Sequence, residues 1–413
     1  MESHQQICGT LLLPDGAKRG VIRQVRNRIA SVEILDPADP VPPDTRIWPG
    51  LIAPGFFDLH VHGGSGHDFM DGTREAFDGV CKAHARHGTT RLLATSTVAP
   101  DPLIRRFLDM AAQLIDVPTG GARLAGVHLY GPFFAPAAKG CHPSEGLVAP
   151  QECDFETMLD ARFVRTASVA PELLGTESFA IACKRKGVRL NLGHSHATFD
   201  QVERAVGWGA RHVDHLFCAM SDRARLRLEQ TYPMRGGLME ATLCLDALTT
   251  EIIADGRHLA DELLRLAFKV KGPDQLALVT DAMRGMDMPD GPYVFGPKEL
   301  NELVLKSNGV GLTLDGKALA SAVAGMDEGF RNMVRATGAP LHVVAGMASL
   351  TPARIAGLDA EMGSLSVGKR ADFVLMNDAL QVCETWVDGM QVFSADRRDA
   401  GPTNCRYPRE RMG

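Results

Sequence analysis

Between about residue 56 and residue 281, short apolar runs alternate with longer stretches whose apolar residues recur at helical spacing. Residues 74–87 are an example, with one helical face formed by Phe77, Val80, Cys81 and Ala85. Strands that alternate with helices in this way are typical of parallel βαβ units. Eight such runs predict an α/β protein with a closed (β/α)8 TIM barrel, and the runs are FFDLHVH, TTRLLATS, LAGVHLYG, RTASVAPE, VRLNLGHS, ARHVDHLF, TEIIADGRH and QLALVTDA.

The two ends of the chain have a different pattern, in which short β-like runs are separated by glycine and proline. Strands are predicted at 7–13, 21–25, 28–32, 363–365, 372–376 and 381–392. A chain of 413 residues is too long for one compact core and fits a barrel with a smaller accessory domain. We therefore predict a barrel domain at 56–352 and a small β-sandwich domain formed jointly by residues 1–55 and 353–413.

The composition argues against several classes of protein. Apolar residues make up 45% of the chain and charged residues 23%, values typical of an ordered globular protein. The net charge of −6 argues against a nucleic-acid-binding protein. The nine cysteines are odd in number and contain no C-x-x-C pair, which argues against a disulfide framework or a cysteine zinc site. No signal peptide or membrane-spanning apolar run is evident, so we expect a soluble cytoplasmic protein that acts on a small molecule.

The strongest local motif is His60-Val61-His62, at the end of the first barrel run. Residues i and i+2 of a strand point to the same side, so both imidazoles can reach one ion. A lone H-x-H motif also occurs as two ordinary histidines near a strand end. Its place at the end of a barrel strand, where TIM barrels carry their active sites, favours the metal-ligand interpretation.

Three further residues end later runs of the barrel. His194 in NLGHSHAT and His215 in VDHLFCAM are separated by about one strand–helix–strand unit, so they can converge on the same centre. Asp281 in LALVTDAM follows an apolar run and is placed to bind metal, although aspartate is also a favoured helix N-cap. Imidazole and carboxylate ligands indicate a divalent metal, with zinc as the first candidate. We expect His196 in a loop and His212 at a strand start away from the rim, both as structural histidines.

These residue types together define a chemistry. A divalent metal lowers the pKa of bound water and polarises a substrate carbonyl. Asp281 would accept the water proton and pass it to the leaving nitrogen. The combination predicts hydrolysis of an amide or a related C–N bond.

Taken together, the motifs resemble those of the N-acetylglucosamine-6-phosphate deacetylase family, within the amidohydrolase superfamily. The resemblance covers nearly the whole chain and rests on segments such as PGFFDLHVHG, GVHLYGPFFAPAAKGCHP, SVAPE, LGHSHAT, DHLFCAM, IIADGRH, LVTDAM and GSLSVGKRADFVL. It implies a TIM barrel with a split β-domain and a homodimer. It also implies release of acetate from an N-acetylated amino sugar, with or without a 6-phosphate.

The resemblance assigns the metal-binding and catalytic roles residue by residue. His194 and His215 match metal ligands of the family. His60 and His62 match a second metal position that some members use. Asp281 matches the catalytic acid/base.

The resemblance also implies substrate contacts. His142, in KGCH, matches a histidine thought to polarise the acetyl carbonyl or hold the sugar, and His258, in ADGRH, matches a residue near the phosphate. Cys218 and Ala219 stand in FCAM where the family reads FNAM, whose asparagine contacts the phosphate. The following loop carries four arginines, of which Arg235 is our first candidate for a substrate contact; they are Arg223, Arg225, Arg227 and Arg235. Either one of them replaces the family's phosphate-binding arginine, which can come from the partner subunit, or the loop is a solvated basic segment.

The chain departs from the family most clearly at Tyr130, where the family reads HLEGP and the glutamate is a metal ligand. His128 and Tyr130 lie two apart on one strand, so both side chains should face the barrel interior near the metal. A phenol is neutral, with a usual pKa of about 10, and it offsets less of the repulsion between two dications than a carboxylate does. We expect one bound ion rather than two, with Tyr130 nearby and hydrogen-bonded to substrate or water.

Two other interpretations stay open. The first is hydrolysis of another N-acyl or cyclic amide compound on the same scaffold. The fourth barrel run, RTASVAPE, lacks the lysine that dihydroorotase- and hydantoinase-like members use, which argues against this option. The second is a non-catalytic sugar-binding homologue; loss of the glutamate favours it, and retention of four histidines and Asp281 argues against it.

Overall fold

The computed structural model describes residues 4–160, 162–228 and 233–395. Within these residues the strands are β1 (His4–Leu13), β2 (Gly16–Val25), β3 (Arg28–Ile34), β4 (Arg46–Pro54), β5 (Phe56–Val61), β6 (Gly63–Gly64), β7 (His67–Asp68), β8 (Thr89–Thr95), β9 (Arg123–Leu129), β10 (Val164–Val169), β11 (Arg189–Leu192), β12 (Ala210–Val213), β13 (Thr249–Ile253), β14 (Leu276–Val279), β15 (Gly291–Val294), β16 (Leu303–Ser307), β17 (Val310–Thr313), β18 (Phe373–Met376), β19 (Val382–Val387) and β20 (Met390–Ser394).

The α-helices in the same part of the chain are α1 (Arg74–Arg86), α2 (Asp101–Leu114), α3 (Phe155–Leu159), α4 (Thr176–Lys186), α5 (Phe199–Trp208), α6 (Arg223–Leu226), α7 (Leu238–Cys244), α8 (Asp261–Lys271), α9 (Met326–Thr337), α10 (Leu341–Met347) and α11 (Leu350–Ile355). Short 3-10 turns lie at Phe69–Asp71, Pro136–Ala138, Pro150–Glu152 and Lys298–Leu300. None of the helices in the described residues is long and apolar enough to cross a lipid bilayer.

Helix α1 shows how the sequence pattern produces a barrel helix. It begins after Thr73, whose hydroxyl accepts a hydrogen bond from the Ala76 N–H and so satisfies one free donor of the first turn. The predicted apolar face is buried, including Phe77 and Val80. The helix ends before His87, which is followed by the next strand of the barrel.

The predicted TIM barrel is confirmed, and each of the eight predicted runs overlaps one of its strands. The order in the sheet is β5, β8, β9, β10, β11, β12, β13 and β14, with every neighbouring pair parallel. The circle closes between the residues that follow β14 and the end of β5. There the Asp281 N–H donates to the His60 carbonyl at 2.9 Å, and the His62 N–H donates to the Ala282 carbonyl at 3.0 Å.

The prediction that both chain ends build one β-structure is also confirmed. They form a seven-stranded sheet in the order β20, β19, β18, β4, β1, β2 and β3. Strand β4, which the sequence pattern did not reveal, joins the two ends because it pairs with β1 on one side and β18 on the other. The predicted strand at 363–365 is wrong: Gly363 has φ of +89°, in the left-handed region that favours a turn.

A small antiparallel sheet was not predicted. Strands β15, β16 and β17 follow the last barrel strand and precede α9. This insertion packs a hydrophobic cluster that includes Met283 and Phe295 against the barrel mouth. The division into domains at 1–55, 56–352 and 353–413 stays a prediction, and residues 396–413 of its last segment lie outside the described residues.

Candidate functional site

A cavity of about 480 Å³ opens where the barrel strands end. Most of the residues predicted from the sequence as site residues line it, and they are His62, Tyr130, His142, His194, His215, Cys218, Ala219, His258 and Asp281. His60 is fully buried beneath the lining residues. Parallel strands explain this gathering, since their carboxyl ends all point to the same rim of the barrel.

The tightest cluster of potential metal ligands joins the first and last barrel strands. His60 and His62 lie at the end of β5, and Asp281 lies two residues after β14. Each offers one ligand atom, and these atoms lie within 4.8 Å of one another. The Oδ1 of Asp281 is 3.3 Å from Nε2 of His62 and 3.6 Å from Nε2 of His60.

His194 and His215 face the same cavity from neighbouring strands, with their ring centres 5.1 Å apart. Nδ1 of His194 is 2.7 Å from the Ala138 carbonyl oxygen, so it carries a proton and leaves the Nε2 lone pair available. Nε2 of His215 contacts the hydroxyl of Tyr130 in a short hydrogen bond. Tyr130 therefore competes for one nitrogen of a predicted metal ligand.

The residues present fit a divalent cation. Nε2 of His60, Nδ1 of His62 and Nδ1 of His215 are buried side-chain atoms with no hydrogen-bond partner among the described residues. Buried polar atoms are nearly always partnered in proteins, so these imidazole nitrogens, of which Nε2 of His60 lies 3.6 Å from Asp281, require an explanation. Imidazole nitrogen and carboxylate oxygen are the donors that zinc and related divalent metals prefer.

Several residues of the rim hold a backbone conformation that L-residues rarely adopt. The φ angles are +46° at His194, +50° at Ala219 and +50° at Asp281. Such conformations cost about 1–3 kcal/mol each and persist where the surrounding structure enforces them, commonly at active sites. The strain here coincides with residues predicted to bind metal or substrate.

The charges at the centre are arranged around Asp281. Burial raises the pKa of this carboxyl, but His60 and His62 more than offset burial and hold the pKa well below its usual range. Burial also lowers the pKa of His60, and the carboxylates of Glu251 and Asp281 reverse that effect and raise it to about 9. The Ser321 hydroxyl donates to Oδ1 of Asp281 at 3.0 Å and helps to hold the carboxylate in place.

Burial holds four of the groups around the cavity in their neutral forms. Burial lowers the pKa values of His142, His194 and His215, with a further contribution from neighbouring histidines. Burial raises the pKa of Tyr130 well above its usual value, and the nearby carboxylate of Asp214 adds to the shift. Neutral imidazoles suit metal ligation, whereas Tyr130 remains a phenol rather than a phenolate.

The prediction that His128 and Tyr130 both face the barrel interior is confirmed. The ring centres of these side chains lie 5.0 and 4.4 Å from that of His60. His196 is in a loop as predicted, but it lines the cavity, while its backbone N–H donates to Glu172. His212 lies on β12 and contacts Glu251 below the cavity.

Two histidines of the cavity are held in defined tautomers or charge states. The Val98 N–H donates to Nδ1 of His142 at 3.3 Å, which leaves the Nε2–H of His142 as a donor toward the cavity. Nδ1 of His258 lies 2.7 Å from a carboxylate oxygen of Asp255. Burial lowers the pKa of His258, but the hydrogen bond and charge of Asp255, together with the charge of Asp281, outweigh burial and raise the pKa, so His258 tends toward the cation.

The structure distinguishes between the arginines of the loop that follows Cys218, which the sequence alone did not. Arg225 lines the cavity beside Cys218 and Ala219. Arg235, our first candidate, is not among the lining residues, and its guanidinium instead pairs with Asp200 at 3.0 Å on the surface. Among the arginines that the structure describes in one chain, Arg225 is therefore the one that lines the cavity.

Sequence reasoning missed two buried carboxyl groups that support the centre. Glu251 on β13 contacts His60, and Asp58 on β5 accepts hydrogen bonds from the His60 N–H and from the Thr280 hydroxyl. Burial raises the pKa of Asp58 to about 7. The available signal was an acidic residue within an otherwise buried barrel run, because a buried charge requires a partner.

The comparison with known proteins agrees with this geometry. The sequence profile of the amidohydrolase family matches residues 51–392, which include all of the barrel strands. The chain belongs to the amidohydrolase family. The resemblance predicted from the motifs is thus confirmed.

Individual relatives are similar over most of their length. The chain is 34% identical over 341 residues to the N-acetylgalactosamine-6-phosphate deacetylase of Escherichia coli O157:H7, covering 82% of this chain and 87% of the relative. It is 32% identical over 373 residues to the N-acetylglucosamine-6-phosphate deacetylase of Vibrio furnissii, covering 89% of each. The crystal structure of N-acetyl-D-glucosamine-6-phosphate deacetylase from Mycobacterium smegmatis has a TM-score of 0.84 and 28% identity, covering 94% of this chain and 100% of that chain.

Proposed function

We propose that this amidohydrolase hydrolyses the N-acetyl amide of an amino sugar and releases acetate and the free amino sugar. The observation that carries the proposal is the convergence of His60, His62 and Asp281 beside one cavity. His142 and His258 line the same cavity. The relatives named above are deacetylases of N-acetylated amino sugar 6-phosphates, which supports the substrate class.

The side chains divide the reaction between them. A divalent cation, when bound by His60, His62, Asp281 and the cavity histidines, lowers the pKa of water and polarises the acetyl carbonyl. Asp281 is ionised, so it can accept the proton of the attacking water and return it to the leaving nitrogen. The Nε2–H of His142 is free to donate to the acetyl carbonyl or a sugar hydroxyl, and so orients the amide.

We propose zinc as the native metal, with one ion per chain. The mixed imidazole and carboxylate donors support zinc, and the neutral phenol of Tyr130 supports a single ion. Metal titration of the purified protein and of Tyr130→Glu tests the count, with Tyr130→Phe as the control. We expect one ion in the wild type and in Tyr130→Phe, and a second in Tyr130→Glu. Two tightly bound ions in the wild type would contradict the charge argument.

The far end of the cavity is suited to an anionic group of the substrate. His258 tends toward the cation, and Arg225 is the guanidinium among the lining residues. Cys218 lies where the family has asparagine, and a thiol is a weaker hydrogen-bond donor than an amide NH₂. A 6-phosphate on the sugar therefore has two basic partners available and lacks the amide donor.

An acetate-release screen tests the proposed function. The zinc-loaded protein is assayed with N-acetylglucosamine and N-acetylgalactosamine, each with and without a 6-phosphate, and with a hydantoin as a cyclic amide. We expect acetate release from at least one N-acetylated sugar, faster with the phosphate. Turnover of the cyclic amide alone would favour the alternative amidohydrolase, and sugar binding without turnover would favour a non-catalytic homologue.

We also propose that the chain works as a homodimer in the cytoplasm. The resemblance to the family supports the dimer. Light scattering on the purified protein measures the oligomeric state, and a mass of one chain would contradict the proposed dimer.

A further inference from the structure

Glu251 touches the metal-binding cluster from inside the barrel and has no part in the reaction proposed above. It lies in the middle of β13, and its side chain is buried. Ile253, two residues further on, lines the cavity, so strand alternation directs Glu251 to the barrel interior as well. Ile252, between them, packs in the core that includes Leu264 of α8.

The carboxylate of Glu251 holds three groups at once. Oε1 lies 2.5 Å from Nδ1 of His60 and accepts a longer hydrogen bond, 3.3 Å, from the backbone N–H of His215. Oε2 lies 3.3 Å from Nε2 of His212, whose Nδ1 is in turn 2.8 Å from the Thr249 hydroxyl. A single carboxylate thus links two predicted metal ligands to the lower layer of the barrel.

This contact determines which nitrogen of His60 can bind a cation. A proton on Nδ1 is stabilised by Glu251, so the lone pair belongs to Nε2. Nε2 of His60 is the buried nitrogen without a hydrogen-bond partner, and it faces Asp281 at 3.6 Å. Carboxylate–histidine–metal chains of this form fix the tautomer of the ligand and increase its basicity.

Glu251 also supplies charge that the cluster otherwise lacks. Asp281 is the carboxylate among the three clustered ligands, so a dication held there keeps an excess positive charge in a buried site. Tyr130 stands where the resembled family has a glutamate ligand, and its phenol hydroxyl hydrogen-bonds to His215 instead of supplying a carboxylate. Glu251 reaches the cluster from a different strand and brings a second negative charge.

We propose that Glu251 is a positioning residue that orients His60 for metal binding and provides a negative charge that Tyr130 does not supply. The inference rests on the proposed metal-dependent reaction and concerns how tightly the metal is held. On this proposal, Glu251 contacts the metal ligand His60 and does not itself bind the metal.

Zinc affinity, measured by competition with a chromogenic chelator, tests this role. We expect Glu251→Gln to weaken zinc binding roughly 10- to 100-fold, the usual effect of losing a partner of a metal ligand. We expect the double variant Tyr130→Glu/Glu251→Gln to regain most of the affinity, because it restores the carboxylate count. A merely structural role of Glu251 predicts no such rescue.

Glu384→Gln is the matched control, since Glu384 is also a buried carboxylate paired with a basic side chain, Arg46, but lies in the end sheet. We expect its zinc affinity to equal that of the wild type. Unchanged affinity in Glu251→Gln would overturn the proposal. Two zinc ions in the wild type, one of them lost in Glu251→Gln, would overturn it too, because Glu251 would then be a ligand together with His212 and Asp214.

A measurement on the wild type keeps the proposal testable if Glu251→Gln does not fold. In zinc-loaded protein with ¹⁵N-labelled histidine, we expect a protonated Nδ1 for His60, assigned by its loss in His60→Gln. A metal-bound or unprotonated Nδ1 would overturn the proposal. Acetate release measured on the same sample separates the two hypotheses: Glu251-dependent zinc binding without acetate release refutes the proposed function and leaves this inference standing.

Discussion

The two ends of the barrel differ in whether their buried polar side chains have partners within the chain. At the mouth, imidazole nitrogens of His60, His62 and His215 are buried without partners. Near the start of β8, the guanidinium of Arg91 is equally buried but contacts Asp372 at 2.8 Å and Asp388 at 2.6 Å. We call these three residues the arginine cluster. It joins a barrel strand to the end sheet, in which β18 follows Asp372 and β19 precedes Asp388.

The difference indicates which end serves stability and which serves function. In the arginine cluster, the charges are compensated within the chain, so the folded protein needs nothing else there. At the mouth, the unpartnered nitrogens and the strained residues His194 and Asp281 destabilise the folded protein, and a bound ligand would offset that cost. Substitutions at the mouth should therefore affect activity, whereas substitutions in the arginine cluster should affect folding.

The largest effect is expected for Asp281→Asn. Asparagine is nearly isosteric but cannot accept a proton, so kcat should fall roughly 10²–10⁴-fold while the protein stays folded. Steady-state kinetics at saturating zinc and circular dichroism measure the two quantities. Equal zinc content in both proteins is the required control, because Asp281 is also a candidate ligand. Activity within a few-fold of the parent would mean that another residue moves the proton.

Arg91→Ala tests the other end of the comparison. It leaves the carboxylate of Asp372 buried without the guanidinium that contacts it, whereas Asp388 keeps Arg123 and Arg370, so the free energy of unfolding should drop by about 3–5 kcal/mol. Urea denaturation measures the loss, and kcat of the remaining folded protein should be unchanged. Arg105→Ala is the matched control; its exposed ion pair with Asp101 should contribute less than about 1 kcal/mol. A large fall in kcat with normal stability would contradict the division between the two ends.

Arg225→Ala sharpens the description of the mouth. Removing a charged hydrogen-bond donor from the cavity should raise KM for a phosphorylated sugar roughly 10- to 100-fold, which corresponds to about 1.5–3 kcal/mol. KM for the unphosphorylated sugar should stay near the wild-type value. The competing outcome is a KM increase in Arg235→Ala instead, which would assign the anion contact to an arginine from a second copy of the chain.

His87 gives a second compensated charge, and its effect depends on pH. Its ring lies 3.0 Å from Asp287 and 2.9 Å from Asp327. Burial lowers the pKa of His87, but the two carboxylates outweigh burial and raise the pKa to about 10. The stabilisation is therefore fully present below the unfolded pKa of about 6.5 and is lost as the pH rises through about 10.

His87→Gln should lower the free energy of unfolding by about 1.5–3 kcal/mol at pH 6, and by progressively less as the pH approaches 10. Urea denaturation of both proteins across this range measures the difference. Asp315→Asn is a suitable control, since this exposed carboxylate pairs with Lys317 and does not contact His87. A difference that stays constant with pH would show that His87 is neutral in the folded protein.

The order of residues along the chain determined the barrel and the positions of the predicted metal ligands at its rim. Eight buried runs separated by amphipathic stretches leave few alternatives to a closed parallel sheet, because each run needs a neighbour on both edges. The same order placed His60, His62, His194, His215 and Asp281 at strand ends, and parallel strands all end at one rim. The local sequence was sufficient to place these residues, because it shows that each one lies at the carboxyl end of its own strand.

Only the tertiary structure decided which side chains meet across the barrel. Glu251 contacts His60 although 191 positions separate them, and no pattern in either strand specifies the register that brings them together. The choice of Arg225 over Arg235 likewise depends on how one loop folds back over the cavity. Periodicity reports which face of its own element a residue occupies, whereas contacts between elements depend on barrel closure and register, which the whole chain determines.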